Sequence, residues 1–122
     1  MVRDNVDSRK VVENLLQQLG LWDSDMENSS DLQNCFESYD EYNKGGYGIS
    51  NDSIDGIILK SFSNTGIPLC ATYTGKVVYG MLDIIENRPE KLNGGNFLFI
   101  HTGGTFGLFA DKNVGRLLEG RF

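Results

Sequence analysis

The order of apolar patterns in this chain predicts an α/β fold, a partial doubly wound parallel sheet with flanking helices. Three observations carry that expectation. Segments of helical period alternate with short continuous apolar runs, in the rhythm helix, strand, helix, strand, helix. The run Asn96-Phe97-Leu98-Phe99-Ile100 has the aromatic and β-branched content of a strand buried on both faces, and Ile67-Pro68-Leu69-Cys70-Ala71 is a second short run with its proline at the start. Each run is followed by hydroxyls and glycine, and a right-handed crossover helix between them would make the strands parallel. Both loops then emerge on one edge, where open α/β sheets bind their ligands.

The elements follow in order. Asp7 or Ser8 can cap a first helix whose apolar stripe is Val11, Val12, Leu15, Leu16 and Leu19, with Gly20 as its stop, and this amphipathic helix is expected to lie on one face of the sheet. Residues 23–33 are polar and read as a surface loop. Cys35 to Tyr42 alternates weakly, as a short edge strand or an extended connection would. Ser50 and Asp52 are alternative caps for a second helix running to about Ser63, burying Ile54, Ile57, Ile58 and Phe62, with Gly66 after it. A third helix, from about Gly75 to Asn87, has Val77, Val78, Met81, Leu82 and Ile85 as its apolar stripe and is stopped by Arg88-Pro89. Lys91 to Gly95 turns into the central strand, and Asp111 to Leu118 resembles a short terminal helix.

At 122 residues the chain has room for one domain, 1–122, with one core. A net charge of −6 disfavours nucleic acid, because phosphate neutralisation requires a basic face. Two distant cysteines, Cys35 and Cys70, and a single histidine, His101, leave too few soft ligands for a zinc site, and the thiols are expected to be reduced. The charged N-terminus lacks the apolar core of a signal peptide and no apolar run is long enough to span a bilayer, so a cytoplasmic protein with no membrane partner is expected.

Candidate chemistry gathers in three short stretches. Gly45-Gly46-Tyr47-Gly48 would leave Tyr47 projecting from a tightly bent loop, or is an ordinary turn bearing a surface tyrosine. Tyr73-Thr74-Gly75-Lys76 and His101-Thr102-Gly103-Gly104 could offer an aromatic face and hydroxyls to a flat ligand. Each taken singly is also explained as a turn whose threonines cap the next helix.

Together these words resemble a known family. Tyr47 between glycines, then Tyr73-Thr74-Gly75-Lys76 with Gly80 beyond it, then Leu98-Phe99-Ile100-His101-Thr102-Gly103-Gly104, are similar to the C-terminal third of the D-cysteine desulfhydrase and 1-aminocyclopropane-1-carboxylate deaminase family. These are pyridoxal-phosphate (PLP) enzymes of fold type II, the tryptophan-synthase-β fold, and the spacing is kept from about Gly45 to Ala110. The resemblance implies catalytic roles for Tyr47, beside substrate and cofactor, and for Tyr73, which lies against the pyridine ring or the reacting group. It implies cofactor binding by Tyr73, Thr74, Thr102 and Gly103, with the Thr102 hydroxyl offered to the ring nitrogen. Position 74 is Glu in the deaminases and Thr in the desulfhydrases, so Thr74 implies the second branch, which takes D-cysteine to pyruvate, sulfide and ammonia. A neutral partner leaves the ring a weaker electron sink, which suits elimination of a readily departing thiol.

The family's Schiff-base lysine and phosphate-binding loop match nothing here. Lys76 is expected to support its loop rather than bond the cofactor, and Cys70-Ala71 replaces the family's Asp-Pro. The resemblance therefore implies a domain incomplete relative to the family, contributing one wall of a site for PLP and a small amino-acid substrate. Its partner would be a complementing N-terminal chain or a homo-oligomer, and PLP would bind only with the complementing chain. A non-catalytic remnant or interaction subunit of the same fold is the alternative, and a free-standing anion binder using Thr102–Thr105 is a third.

Overall fold

The computed structural model describes residues 7–21, 36–92, 94–109, 115 and 119. The chain divides into two compact units, one within residues 5–41 and the other built mainly from residues 42–122. The expected surface loop at 23–33 lies outside the described residues, as does nearly all of the expected terminal helix.

In the first unit, α1 spans Ser8–Gln18, with the Asp7 side chain accepting from the Lys10 amide as its N-cap. Gly20 takes φ +67° and donates to the Gln17 carbonyl, while Leu21 donates to the Leu16 carbonyl, the paired bonds of a Schellman stop. The Ser8 amide and hydroxyl both donate to the Asp40 carboxylate, which holds that carboxyl below its usual range. Arg9 pairs with Glu13 at 2.9 Å and lies 5.0 Å from the centre of the Phe36 ring. The predicted stripe is present in sequence, yet Val11, Val12, Leu15 and Leu19 are exposed.

The second unit is built on α2 (Asp52–Thr65), α3 (Thr74–Asn87) and a single turn, α4 (Phe106–Phe109), with 3-10 turns at Asp40–Asn43 and Pro89–Leu92. Asn51 rather than Ser50 or Asp52 caps α2, accepting from the Ile54 amide at 3.0 Å, and Gly66 closes it at φ +73°. Helix α2 packs on α3, and Ile54, Ile58, Leu69, Ala71 and Leu108 form the core, flanked by Ile57, Val78, Tyr79 and Phe99. Leu59 is buried where Phe62 was expected.

The α/β expectation is not met. Among the described residues there is no strand and no sheet, so neither the doubly wound parallel sheet nor its carboxyl edge is present. A strand is completed only by a neighbour that takes its alternate N–H and C=O groups. Residues 67–70 and 95–104 carry no ladder here, and the bond described between them is from a side chain, His101 Nε2 to the Pro68 carbonyl at 2.9 Å. Consequently Leu98 is 85% and Ile100 70% exposed, where a central strand would bury both. Residues 36–39 likewise lack regular structure and lead into the 3-10 turn at Asp40–Asn43. Among the described residues there is thus no sheet for α1 to cover.

Helix α3 meets its predicted apolar stripe only in part, with Val78 packed against the core. Its buried residues are Thr74, Gly75, Lys76 and Gly80, while Val77, Leu82 and Ile85 are exposed. The small residues explain the choice, because they let other segments approach the helix closely. A Cβ on Gly75 would come within 2.9 Å of the Cys70 carbonyl oxygen, and one on Gly80 within 2.9 Å of the Tyr42 ring.

Candidate functional site

The site is organised by the turn from Cys70 to Gly75. The Cys70 amide donates to Thr74 Oγ1 at 2.8 Å, the Tyr73 amide donates to Cys70 Sγ at 3.4 Å, and the Gly75 amide donates to the Cys70 carbonyl at 2.9 Å. Tyr73, the N-cap residue of α3, makes no side-chain capping bond, so Cys70 satisfies amides that a cap residue ordinarily would. The Thr74 hydroxyl turns back to the amide and sulfur of Cys70 and is fully buried. It shapes the turn that presents Tyr73.

Above that turn stand the two tyrosines. The rings of Tyr47 and Tyr73 meet edge to face, 5.8 Å between centres at 77°. Tyr73 has its phenol pKa pushed up, first by its side-chain hydrogen bond with Tyr47, then by burial and by the proximity of Tyr47 and Cys70. Tyr73 is thus held as a neutral phenol.

The third segment arrives through Gly104. With φ +82°, a Cβ there would come within 2.8 Å of Cys70 Sγ and 3.2 Å of the Tyr73 ring, so the loop can touch both only as glycine. His101 fixes the near end of the loop, bonded to the Pro68 carbonyl and accepting from the Gly103 amide at 3.2 Å on Nδ1. Gly103 has open space where a side chain would be, and Thr102 beside it is exposed. The structure therefore joins Tyr47, Tyr73 and the 101–104 loop around Cys70, with Thr74 buried beneath them.

Lys76 was expected to support its own loop; it holds instead the loop that bears Tyr47. Its Nζ is buried and donates to the carbonyls of Asn43, at 2.6 Å, and Gly46. The Tyr42 hydroxyl donates to Asp83 at 2.5 Å, which with Asn87 lowers the Asp83 pKa, and Lys44 Nζ lies 4.8 Å from the Tyr79 ring centre. Ser50 donates to the buried carboxylate of Asp55.

Sequence reasoning missed the parts played by Cys70, Gly104, Asp55 and the Tyr42–Asp83 pair. An acid on the apolar stripe of α2, and a second glycine where one would turn the chain, were the available signs. Cys70 offered none, since a small apolar thiol in an apolar run reads as core.

Over two thirds of its length the chain has curated relatives. It is 40% identical over 80 residues to a putative 1-aminocyclopropane-1-carboxylate deaminase of Thermotoga maritima, covering 66% of this chain and 24% of that protein. It is 36% identical over 83 residues to the mitochondrial bifunctional D-cysteine desulfhydrase/1-aminocyclopropane-1-carboxylate deaminase of Arabidopsis thaliana, covering 67% of this chain and 20% of that one. A D-cysteine desulfhydrase of Salmonella newport is 39% identical over 72 residues, 59% of this chain and 22% of the relative. This chain is a partial match to the D-cysteine desulfhydrase and 1-aminocyclopropane-1-carboxylate deaminase family.

The chain spans less than a quarter of the length of these relatives. No protein-family model matches it, and no solved structure does at a significant level. Proteins of these two names are generally PLP enzymes. Among the described residues no helix is long and apolar enough to cross a membrane, and no group of three acidic, histidine or cysteine side chains could hold a metal ion.

The described residues fit part of a PLP site. An exposed hydroxyl at Thr102, next to a glycine with open space above it, suits the edge of an aromatic ring. The tyrosine pair suits its face. The Thr74 hydroxyl is committed to Cys70, and Lys76 to two carbonyls, so neither is directed to a ligand.

Proposed function

We propose that this chain contributes one wall of the cofactor and substrate pocket of a PLP-dependent lyase similar to D-cysteine desulfhydrase, with a complementing chain supplying the covalent lysine and the phosphate cradle. The observation that carries the proposal is the convergence of Tyr47, Tyr73 and the 101–104 loop, three segments far apart in sequence and all within the region of the family resemblance. Thr102 and Gly103 would border the cofactor ring, and Tyr73 would lie against it. Thr74 serves one step back, by pinning the turn that carries Tyr73. The cofactor, when bound, supplies the electron sink that lets a proton leave the substrate and its β-substituent depart.

Within that chemistry the chain's own residues orient and donate. Tyr73, kept protonated, can donate a hydrogen bond from Oη to a developing negative charge or to a departing group. Tyr47 lies at the exposed end of the pair, where a small amino acid could reach it. Threonine at position 74 is the residue that the family resemblance gives to the desulfhydrase branch, and on that ground the substrate would be D-cysteine and the products pyruvate, sulfide and ammonia; its hydroxyl, held by Cys70, would act through the turn and not on the ring.

The test mixes this chain with a polypeptide carrying the part of the Thermotoga maritima relative that it does not match, together with PLP. Bound-cofactor absorbance and pyruvate release from D-cysteine are expected with both chains and with neither chain alone. Absence of both signals from a mixture that forms a complex sinks the proposal. A non-catalytic interaction subunit is the second reading, favoured by one observation: Lys44 and Lys76, the lysines flanking the tyrosine pair in sequence, are both engaged within the fold.

A further inference from the structure

The loop bearing Tyr47 is built almost wholly from left-handed backbone. Lys44, Gly45, Gly46 and Gly48 all have positive φ, at 50°, 101°, 111° and 70°. Two successive turns close it: the Gly46 amide donates to the Asn43 carbonyl at 3.3 Å, and the Ile49 amide to the Gly46 carbonyl at 3.4 Å. Both bonds are long. Glycines give such a loop many alternatives, so its own hydrogen bonds are weak determinants of where Tyr47 points.

The same two carbonyls, Asn43 and Gly46, accept from Lys76 Nζ. One ammonium therefore ties the closing acceptors of both turns to α3. The Gly46 carbonyl belongs to the peptide plane that ends at the Tyr47 nitrogen, so holding it fixes the backbone direction from which the Tyr47 side chain departs. Lys76 stands in the first turn of α3, where the helix dipole disfavours a cation, and its head is buried, where a charge is kept only when well bonded. Helical propensity and burial do not account for a lysine at this position. Its bonds to the loop do.

We propose that Lys76 is a positioning residue, whose ammonium closes the 43–46 and 46–49 turns together and thereby sets the angle at which Tyr47 meets Tyr73. The significance of that angle for catalysis rests on the reading of the tyrosine pair as a pocket wall, but the angle itself is measurable in the chain alone. Failure of the pocket reading would appear as absent cofactor binding in the two-chain mixture with the ring contact intact. Failure of the positioning proposal would appear in the rings.

The experiment compares wild type with Lys76→Met, which keeps the unbranched stem of the side chain and removes its ammonium donors, and with Ile58→Val, which weakens the core at a residue outside the loop. Ring-to-ring NOEs between Tyr47 and Tyr73, and the phenol titration of Tyr73, are measured in samples whose helical circular dichroism matches wild type. In Lys76→Met the NOEs are lost and Tyr73 titrates lower, toward an ordinary phenol; in Ile58→Val both persist. Unchanged NOEs and titration in folded Lys76→Met overturn the proposal, as does their loss in Ile58→Val to the same degree. Wild type gives a further measurement that needs no variant: an ammonium bonded to two carbonyls exchanges its protons slowly, giving a 15N-edited ζ resonance with cross-peaks to the Gly46 α-protons. A Lys76 ζ group that exchanges as fast as those of exposed lysines overturns the proposal even if Lys76→Met fails to fold.

Discussion

Replacing Gly75 by alanine isolates the close packing on which the 70–75 turn depends. Gly75 has no positive φ, so alanine brings no backbone strain, and in a helix interior it would gain up to about 1 kcal/mol over glycine. Against that gain, the new methyl would sit 2.9 Å from the Cys70 carbonyl oxygen, 3.1 Å from Ile54 Cγ2 and 3.2 Å from Ile58 Cγ1. The first neighbour is backbone and the other two are fully buried core atoms, so none can withdraw cheaply. Overpacking of this kind costs about 1–3 kcal/mol, and pushing the carbonyl away also weakens its bond from the Gly75 amide, worth about 0.5–1.5 kcal/mol. The net expectation is destabilisation of about 2 kcal/mol. Gly56→Ala is the matched control, since Gly56 lies in α2 with nothing within 4 Å of its would-be Cβ, and it should stabilise by about 0.5–1 kcal/mol. Urea unfolding of the two variants measures the opposed signs. Gly75→Ala matching or exceeding wild type in stability would refute the packing described for this turn.

Other consequences follow from particular contacts. Thr74→Val keeps the shape but leaves the buried Cys70 amide without its acceptor, and should cost about 1–3 kcal/mol by thermal unfolding, whereas Thr74→Ser should retain most of the stability. Gly80→Ala should displace the Tyr42 ring and, with it, the hydroxyl on Asp83, read as an upfield or downfield change confined to Tyr42, Tyr79 and Asp83 in NMR spectra. Because Tyr42 and Asn87 lower the Asp83 pKa, its contribution to stability is complete above the ordinary carboxylate value and is lost as pH falls through its folded value. Tyr42→Phe should raise that pKa and flatten the acid limb of a stability–pH profile. Tyr73 has the opposite sense: its raised phenol pKa contributes stability below the ordinary tyrosine value that is lost as pH rises through the folded one, and Tyr47→Phe should bring its absorbance titration back down.

Where local chemistry decides, the chain could be read directly. Asp7 capping α1, Gly20 and Gly66 ending helices in left-handed conformation, and Arg88-Pro89 stopping α3 all depend on a few adjacent residues, and all are found where the sequence places them. The three stretches of the family resemblance were likewise legible, since they lie in short contiguous words. What depends on a partner was not legible. A strand is a relation between two segments, and the apolar runs at 67–71 and 96–100 show that strand-like composition without a hydrogen-bonded neighbour leaves side chains such as Leu98 and Ile100 in solvent. Similarly, hydrophobic periodicity marked one stripe of α3 for burial, while only Val78 of that stripe packs on the core and full burial falls on residues including Gly75 and Gly80, which admit Cys70 and Tyr42. Caps, stops and motif spacing were determined by sequence alone because their energies are settled within a turn or two of backbone. The buried residues of α3 and the meeting of Tyr47 with Tyr73 were decided only by tertiary structure, because each depends on how closely two distant segments can approach.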